Sequence, residues 1–133
     1  MTLEELIHRR RRRSPPTDEE HRIQVSCVQW FHRTYPHLRG RLFAVPNGGH
    51  RYATTAAKLK AEGVVPGVAD LILLKSNHHY GALLIEMKRP KGRQSESQRQ
   101  WQQLVCSAGE YLYVKCYSLD DFCREIKEYL NHT

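Results

Sequence analysis

Nowhere among these 133 residues does an apolar run approach the roughly 20 needed to cross a bilayer, so no membrane-spanning helix is expected. A secretory pattern is missing too, because the basic N-terminal stretch leads into prolines and acids rather than an apolar segment. Cysteine is scarce. Cys27, Cys106, Cys116 and Cys123 form no C-x-x-C pair and no finger-like spacing with histidine, which speaks against a zinc module or a redox motif. Each sits among apolar residues and reads as a reduced, buried small side chain of a cytosolic protein. There is no internal repeat. The length fits one compact domain and leaves no room for a second, nor for a separate sequence-reading region.

Acids are also in short supply. Against 21 Lys+Arg there are 14 Asp+Glu, for a net charge of +7 and a pI near 9.4. That excess favours a polyanionic partner, nucleic acid or an anionic surface, through long-range attraction and counterion release. What is present is otherwise ordinary for a soluble domain, with 40% apolar and 26% charged residues. The basic charge is concentrated at one end. Arg9 to Arg13 run consecutively into Ser14-Pro15-Pro16, which cannot continue a helix. Residues 1–16 are therefore expected to form an arm and residues 17–133 the folded domain. The arm reads equally as a solvated tail or as a device that grips phosphates.

Periodicity supplies the elements. Thr17 and Glu20 have the S/T-x-x-E form of a capping box, and Ile23, Cys27, Val28, Trp30 and Phe31 recur at helical spacing to about Tyr35. A short strand, Arg41–Val45, ends at the turn signal Pro46-Asn47-Gly48-Gly49. A second helix from about Ala53 to Glu62 stops at Gly63. Ala69–Leu74 and Ala82–Lys88 read as two strands of a hairpin around the polar segment 76–81. A helix starts after Ser95 with an S-x-x-Q pattern, Tyr111–Cys116 is a strand, and Ser118 caps a last amphipathic helix. The order is α-β-α-β-β-α-β-α. It predicts an α/β fold with a mixed sheet flanked by helices, in which segments 82–88, 96–107 and 111–116 form a βαβ unit.

One constellation carries chemistry. With the hairpin turn centred near His78, antiparallel pairing sets Asp70 opposite Glu86. Alternation along the strand puts Glu86 and Lys88 on one face with Met87 between them. Two carboxylates and an ammonium then converge beside apolar strands, where charges are costly unless paired or bound to metal. A hard cation such as Mg²⁺ takes one or two carboxylates and completes its shell with waters and phosphate. A lone E-x-K is common by chance and reads as a strand-end ion pair. The acid sixteen residues upstream on the partner strand is what favours a site.

At this point the chain resembles a known family. The ordered segments Glu20-His21-Arg22-Ile23-Gln24, Pro46-Asn47-Gly48-Gly49-His50-Arg51, Leu59-Lys60-Ala61-Glu62-Gly63-Val64, Gly67-Val68-Ala69-Asp70, Ile85-Glu86-Met87-Lys88 and Ser95-Glu96-Ser97-Gln98 are similar to those of VRR-NUC nucleases, a branch of the PD-(D/E)XK superfamily. The likeness spans about residues 19–131. It implies a restriction-endonuclease-like fold and a nuclease dependent on Mg²⁺ or Mn²⁺. Asp70 and Glu86 match the metal-binding carboxylates, with Glu20 and the position of Met87 added to the metal set. Lys88 matches the catalytic lysine and Gln98 the glutamine of the following helix. One departure is Ala69, where the family often has proline before the aspartate; alanine suits a strand as well.

Several of these residues have plainer explanations. Glu20 and Gln98 each occupy the fourth position of a capping box, although Glu20 shares a helix face with Cys27 and Phe31, and Gln98 with Trp101 and Val105. Asn47, Gly48, Gly49, Arg51 and Lys60 are candidate DNA contacts, because glycines admit a phosphate close to the backbone. They also suit a simple turn and a solvated charge. Lys58, Arg89, Lys91 and Arg93 would extend a basic surface, and His78 and His79 read as surface histidines. The resemblance implies branched DNA as the partner, four-way junctions cut by a homodimer, and a cytoplasmic setting in a bacterial or phage-infected cell. The alternatives are a flap nuclease, or a non-catalytic nucleic-acid-binding module with the same fold.

Overall fold

In the computed structural model, residues 18–46 and 53–133 are described. Helix α1 (Asp18–Thr34) begins with three acids, Asp18, Glu19 and Glu20, which complement the positive end of the helix dipole. Its apolar stripe ends in Cys27 and Phe31, both fully buried. A short 3₁₀ turn, Pro36–Leu38, which periodicity does not reveal, then tucks Leu38 into the core. Strand β1 (Leu42–Ala44) follows, then α2 (Ala53–Ala61), β2 (Leu71–Leu73), β3 (Ala82–Met87), α3 (Glu96–Cys106), β4 (Tyr111–Cys116) and α4 (Leu119–Leu130). The order of helices and strands is the one that the periodicity predicts, with β1, β2 and β3 trimmed at their ends and β4 as expected.

The four strands lie in the order β1-β2-β3-β4. β1, β2 and β3 pair antiparallel and β4 adds parallel to β3, so the sheet is mixed. α3 makes the crossover that a parallel neighbour requires. β3 is buried at every position, as a central strand covered on both faces must be. On one face Leu71, Leu73, Leu83, Ile85, Met87 and Cys116 pack under α1 and α4, meeting Cys27, Phe31, Phe122, Ile126 and Tyr129. The edges of Trp30 and Phe122 join the two helices in a T-shaped contact. On the other face α3 lies along β4, with Trp101 against Tyr113.

Polar contacts lock the hairpin loop to the last helix. Tyr129 Oη donates to the Lys75 carbonyl at 2.6 Å, and Asn77 Nδ2 donates to the Tyr129 carbonyl at 3.1 Å. All four cysteines are free. Burial pushes the thiols of Cys27 and Cys116 up to about 12, so both stay protonated hydrophobic fillers. Among the described residues no helix is long and apolar enough to cross a membrane.

Candidate active site

The hairpin register creates the site. Leu71 pairs with Ile85, and one step further along sets Asp70 against Glu86. Asp70 itself falls just outside β2, which is shorter than the hydrophobic run Ala69–Leu74. Its carbonyl still accepts from Val45 N at 2.9 Å, while its carboxylate Oδ2 accepts from Met87 N at 2.7 Å. The side chain thus takes over a backbone donor at the end of β3 and is fixed there.

Glu86 is the only charged side chain among the buried described residues, with 1% exposure. It points to the α3 face, away from Ile85 and Met87, because strand side chains alternate. Gln98 Nε2 donates to its Oε1 at 2.7 Å and Tyr113 Oη to its Oε2 at 2.8 Å. Lys88 Nζ lies 3.8 Å from Oε1. Burial foremost, then the hydrogen bond and negative charge of neighbouring Asp70, push the Glu86 carboxyl up to about 8; Tyr113 and Lys88 pull the other way. Its own burial and the same acids drive the Tyr113 hydroxyl upward, so it remains a proton donor.

Lys88 continues the ladder through its N–H, which donates to the Cys116 carbonyl at 2.9 Å, and its side chain is only 11% exposed. Its ammonium donates to Gln98 Oε1 at 2.9 Å. Gln98 therefore both caps its helix and contacts Glu86 and Lys88. Its Oε1 also accepts from Ser95 N at 2.7 Å and Ser95 Oγ accepts from Gln98 N, which closes a capping box. The cap of α3 and the bridge between Glu86 and Lys88 are one side chain.

Glu20 reaches the same end of the sheet, where Arg89 N donates to its Oε1 at 3.2 Å. Thr17, its partner in the expected capping box, lies outside the described residues. So do Asn47, Gly48, Gly49 and Arg51, and the arm of residues 1–16. Lys60 is exposed on α2, and Lys58, Arg89, Lys91 and Arg93 are exposed as well. His78 and His79 are exposed at the hairpin tip. Tyr113 is the residue that the sequence reading passes over. The signal for it is its position two before Lys115, the register partner of Glu86, which sets the two side chains on one face.

Asp70 and Glu86 come together as a pair; among the described residues no three His, Cys, Asp or Glu side chains form a ready metal cluster. The pair fits a hard divalent cation by its chemistry. Two oxygen-donor carboxylates face each other; among the described residues both donors to Glu86 are neutral groups, and the one nearby ammonium is shared with Gln98.

The fold is an α/β domain whose mixed four-stranded sheet carries one buried acid, Glu86, with Asp70 and Lys88 beside it at one strand end. The sequence model of the VRR-NUC domain family matches residues 18–118, and the chain belongs to that family. Its function is accordingly of the nuclease type, with DNA as the partner that the domain implies. A solved structure described as a VRR_NUC domain protein shares the fold at a TM-score of 0.74 and 23% identity, over 89% of this chain and 93% of the other. A search among curated proteins finds no match.

Proposed function

We propose that the protein is a metal-dependent, structure-selective endonuclease that hydrolyses phosphodiester bonds in branched DNA, four-way junctions above all, as a homodimer. The observation that carries the catalytic part is the burial of Glu86 beside Asp70 with, among the described residues, one ammonium nearby. A carboxyl buried beside a second acid costs stability, a cost that a bound cation offsets and DNA binding alone does not.

Asp70 and Glu86, with the Met87 carbonyl and Glu20 at the same strand end, would hold Mg²⁺ or Mn²⁺. Such a cation lowers the pKa of a bound water and stabilises charge developing on the phosphoryl group. Lys88 is held by Gln98 within reach of the acids. From there it orients the attacking water, takes its proton, or stabilises the oxyanion. Gln98 keeps that ammonium off Glu86, so the carboxylate is not consumed in a close ion pair. The exposed Lys58, Lys60, Arg89, Lys91 and Arg93, together with Asn47, Gly48, Gly49 and Arg51 from the glycine-rich segment, would contact DNA phosphates.

The test is a cleavage assay on duplex, flap and four-way-junction DNA, with chelator, Mg²⁺ or Mn²⁺. Junction cutting that requires either cation is expected. Cleavage undiminished in chelator would remove the metal, and preference for flaps over junctions would remove the junction assignment alone.

A further inference from the structure

β4 presents a hydroxyl to the site from a stretch that reads simply as strand. Tyr113 Oη donates to Glu86 Oε2 while Gln98 holds Oε1, so each carboxylate oxygen has its own neutral donor. The terminal carboxylate torsion of glutamate is intrinsically broad, and one donor on each oxygen removes that freedom. The tyrosine hydroxyl is itself constrained. Gln94 Nε2 donates to Tyr113 Oη at 3.2 Å and to Gln102 Oε1 at 2.8 Å. An amide nitrogen has two hydrogens and accepts nothing. Gln102 accepts from Gln94, Gln94 donates to Tyr113, and the tyrosine proton is left for Glu86. Trp101 flanks the ring, with centroids 6.4 Å apart.

We infer that Tyr113, oriented by Gln94 and Gln102, is a positioning residue that holds the Glu86 carboxylate in its metal-binding orientation; this rests on reading Asp70 and Glu86 as metal ligands. A neutral donor suits the task. It fixes the carboxylate without cancelling the charge that attracts a cation, as groups behind metal ligands commonly do. Gln94 and Gln102 act on Glu86 through the tyrosine hydroxyl, to which Gln94 donates while Gln102 holds its amide in place.

The test uses Tyr113→Phe, Gln94→Leu and the double variant. Two quantities are followed: the Mn²⁺ concentration giving half-maximal cleavage, and the rise in melting temperature that Mn²⁺ produces. Tyr113→Phe keeps the ring on Trp101 and is expected to raise the half-maximal Mn²⁺ concentration roughly tenfold, the lower end of the range for losing a group that orients a metal ligand. The Mn²⁺-induced melting shift shrinks in parallel, while KM for DNA stays near wild type. Gln94→Leu gives a smaller change in the same direction, and the double variant is no worse than Tyr113→Phe, because Gln94 acts through the missing hydroxyl. An unchanged Mn²⁺ dependence in Tyr113→Phe, additive effects, or a loss of melting temperature in chelator without any shift in Mn²⁺ dependence would overturn the inference alone. Wild-type cleavage that persists in chelator would remove it together with the metal reading. Should Tyr113→Phe not fold, Gln94→Leu decides, and wild-type Mn²⁺ dependence in that variant counts against the inference.

Discussion

Three side chains at the end of one hairpin are proposed to carry the chemistry, and each has a separable consequence. Asp70→Asn or Glu86→Gln is expected to abolish cleavage, because each removes a metal ligand, while DNA binding persists or tightens. Full-rate cleavage by either variant would refute the assignment. Lys88→Ala is expected to slow cleavage by about 10²-fold or more, the scale for losing a positioned acid–base or electrostatic group, with Mn²⁺-induced stabilisation retained. Glu86 also makes metal-free stability depend on pH. Its carboxyl is pushed up to about 8 in the fold, from an ordinary value of 4.5. Between those values the folded chain retains a proton that the unfolded chain has released, so stability in chelator falls as pH rises through this window. Urea midpoints measured in chelator across the window should drop for the wild type and drop less for Glu86→Gln, which has nothing to ionise at that position. Parallel curves would mean that Glu86 is ionised throughout.

At the scale of elements, the site depends on how closely the loop before β2 approaches α3. Gly67 has φ +83, and a Cβ there would lie 2.3 Å from the Ser97 carbonyl oxygen, on backbone that cannot yield cheaply. Gly67→Ala therefore has to push apart the loop that carries Asp70 and the helix turn that carries Gln98. Loss of both melting temperature and cleavage rate is expected, with the rate falling further than a comparable surface substitution would cause. A Gly67→Ala protein with wild-type melting temperature and rate would show that the two segments are free to separate. The cap of α3 gives a milder probe. Ser95→Ala removes the acceptor for Gln98 N and should cost about 1 kcal/mol, measured by chemical denaturation, as removal of an N-cap does.

For the whole molecule, one small domain offers one acid pair, whereas resolving a four-way junction needs two cuts across a two-fold centre. A symmetric dimer supplies both from a single chain, and isologous pairing is the commonest oligomer geometry. Light scattering at micromolar concentration should give twice the chain mass of 15.6 kDa. A strict monomer that nicks flaps and leaves junctions uncut would refute the dimer and leave the nuclease intact. Charge acts at this scale as well. If Arg9 to Arg13 grip phosphates, deleting residues 1–14 should flatten the salt dependence of DNA binding, by roughly 0.9 in log–log slope for each duplex phosphate no longer neutralised. An unchanged slope would mark the arm as a bystander.

The register of the hairpin was legible in the residues themselves. Its two apolar runs flank a polar turn that centres near His78, and antiparallel pairing about that centre sets the partners. Hence Asp70 opposite Glu86, and Lys88 on the face of Glu86, followed from order alone. Helix starts at Ser95 and Ser118 were equally readable, because caps are local chemistry. What the tertiary structure decided is which neutral groups close over the buried acid. Tyr113 reaches Glu86 only because β4 joins β3 in parallel register, and Gln94 reaches Tyr113 only because α3 crosses that face. Gln98 could be read as a cap or as a site residue, and only packing reveals that its Oε1 accepts from both Ser95 N and the Lys88 ammonium. The depth of Glu86, and with it the upward shift of its carboxyl, belongs to no local pattern. It arises where elements distant in sequence exclude water from the same few ångströms.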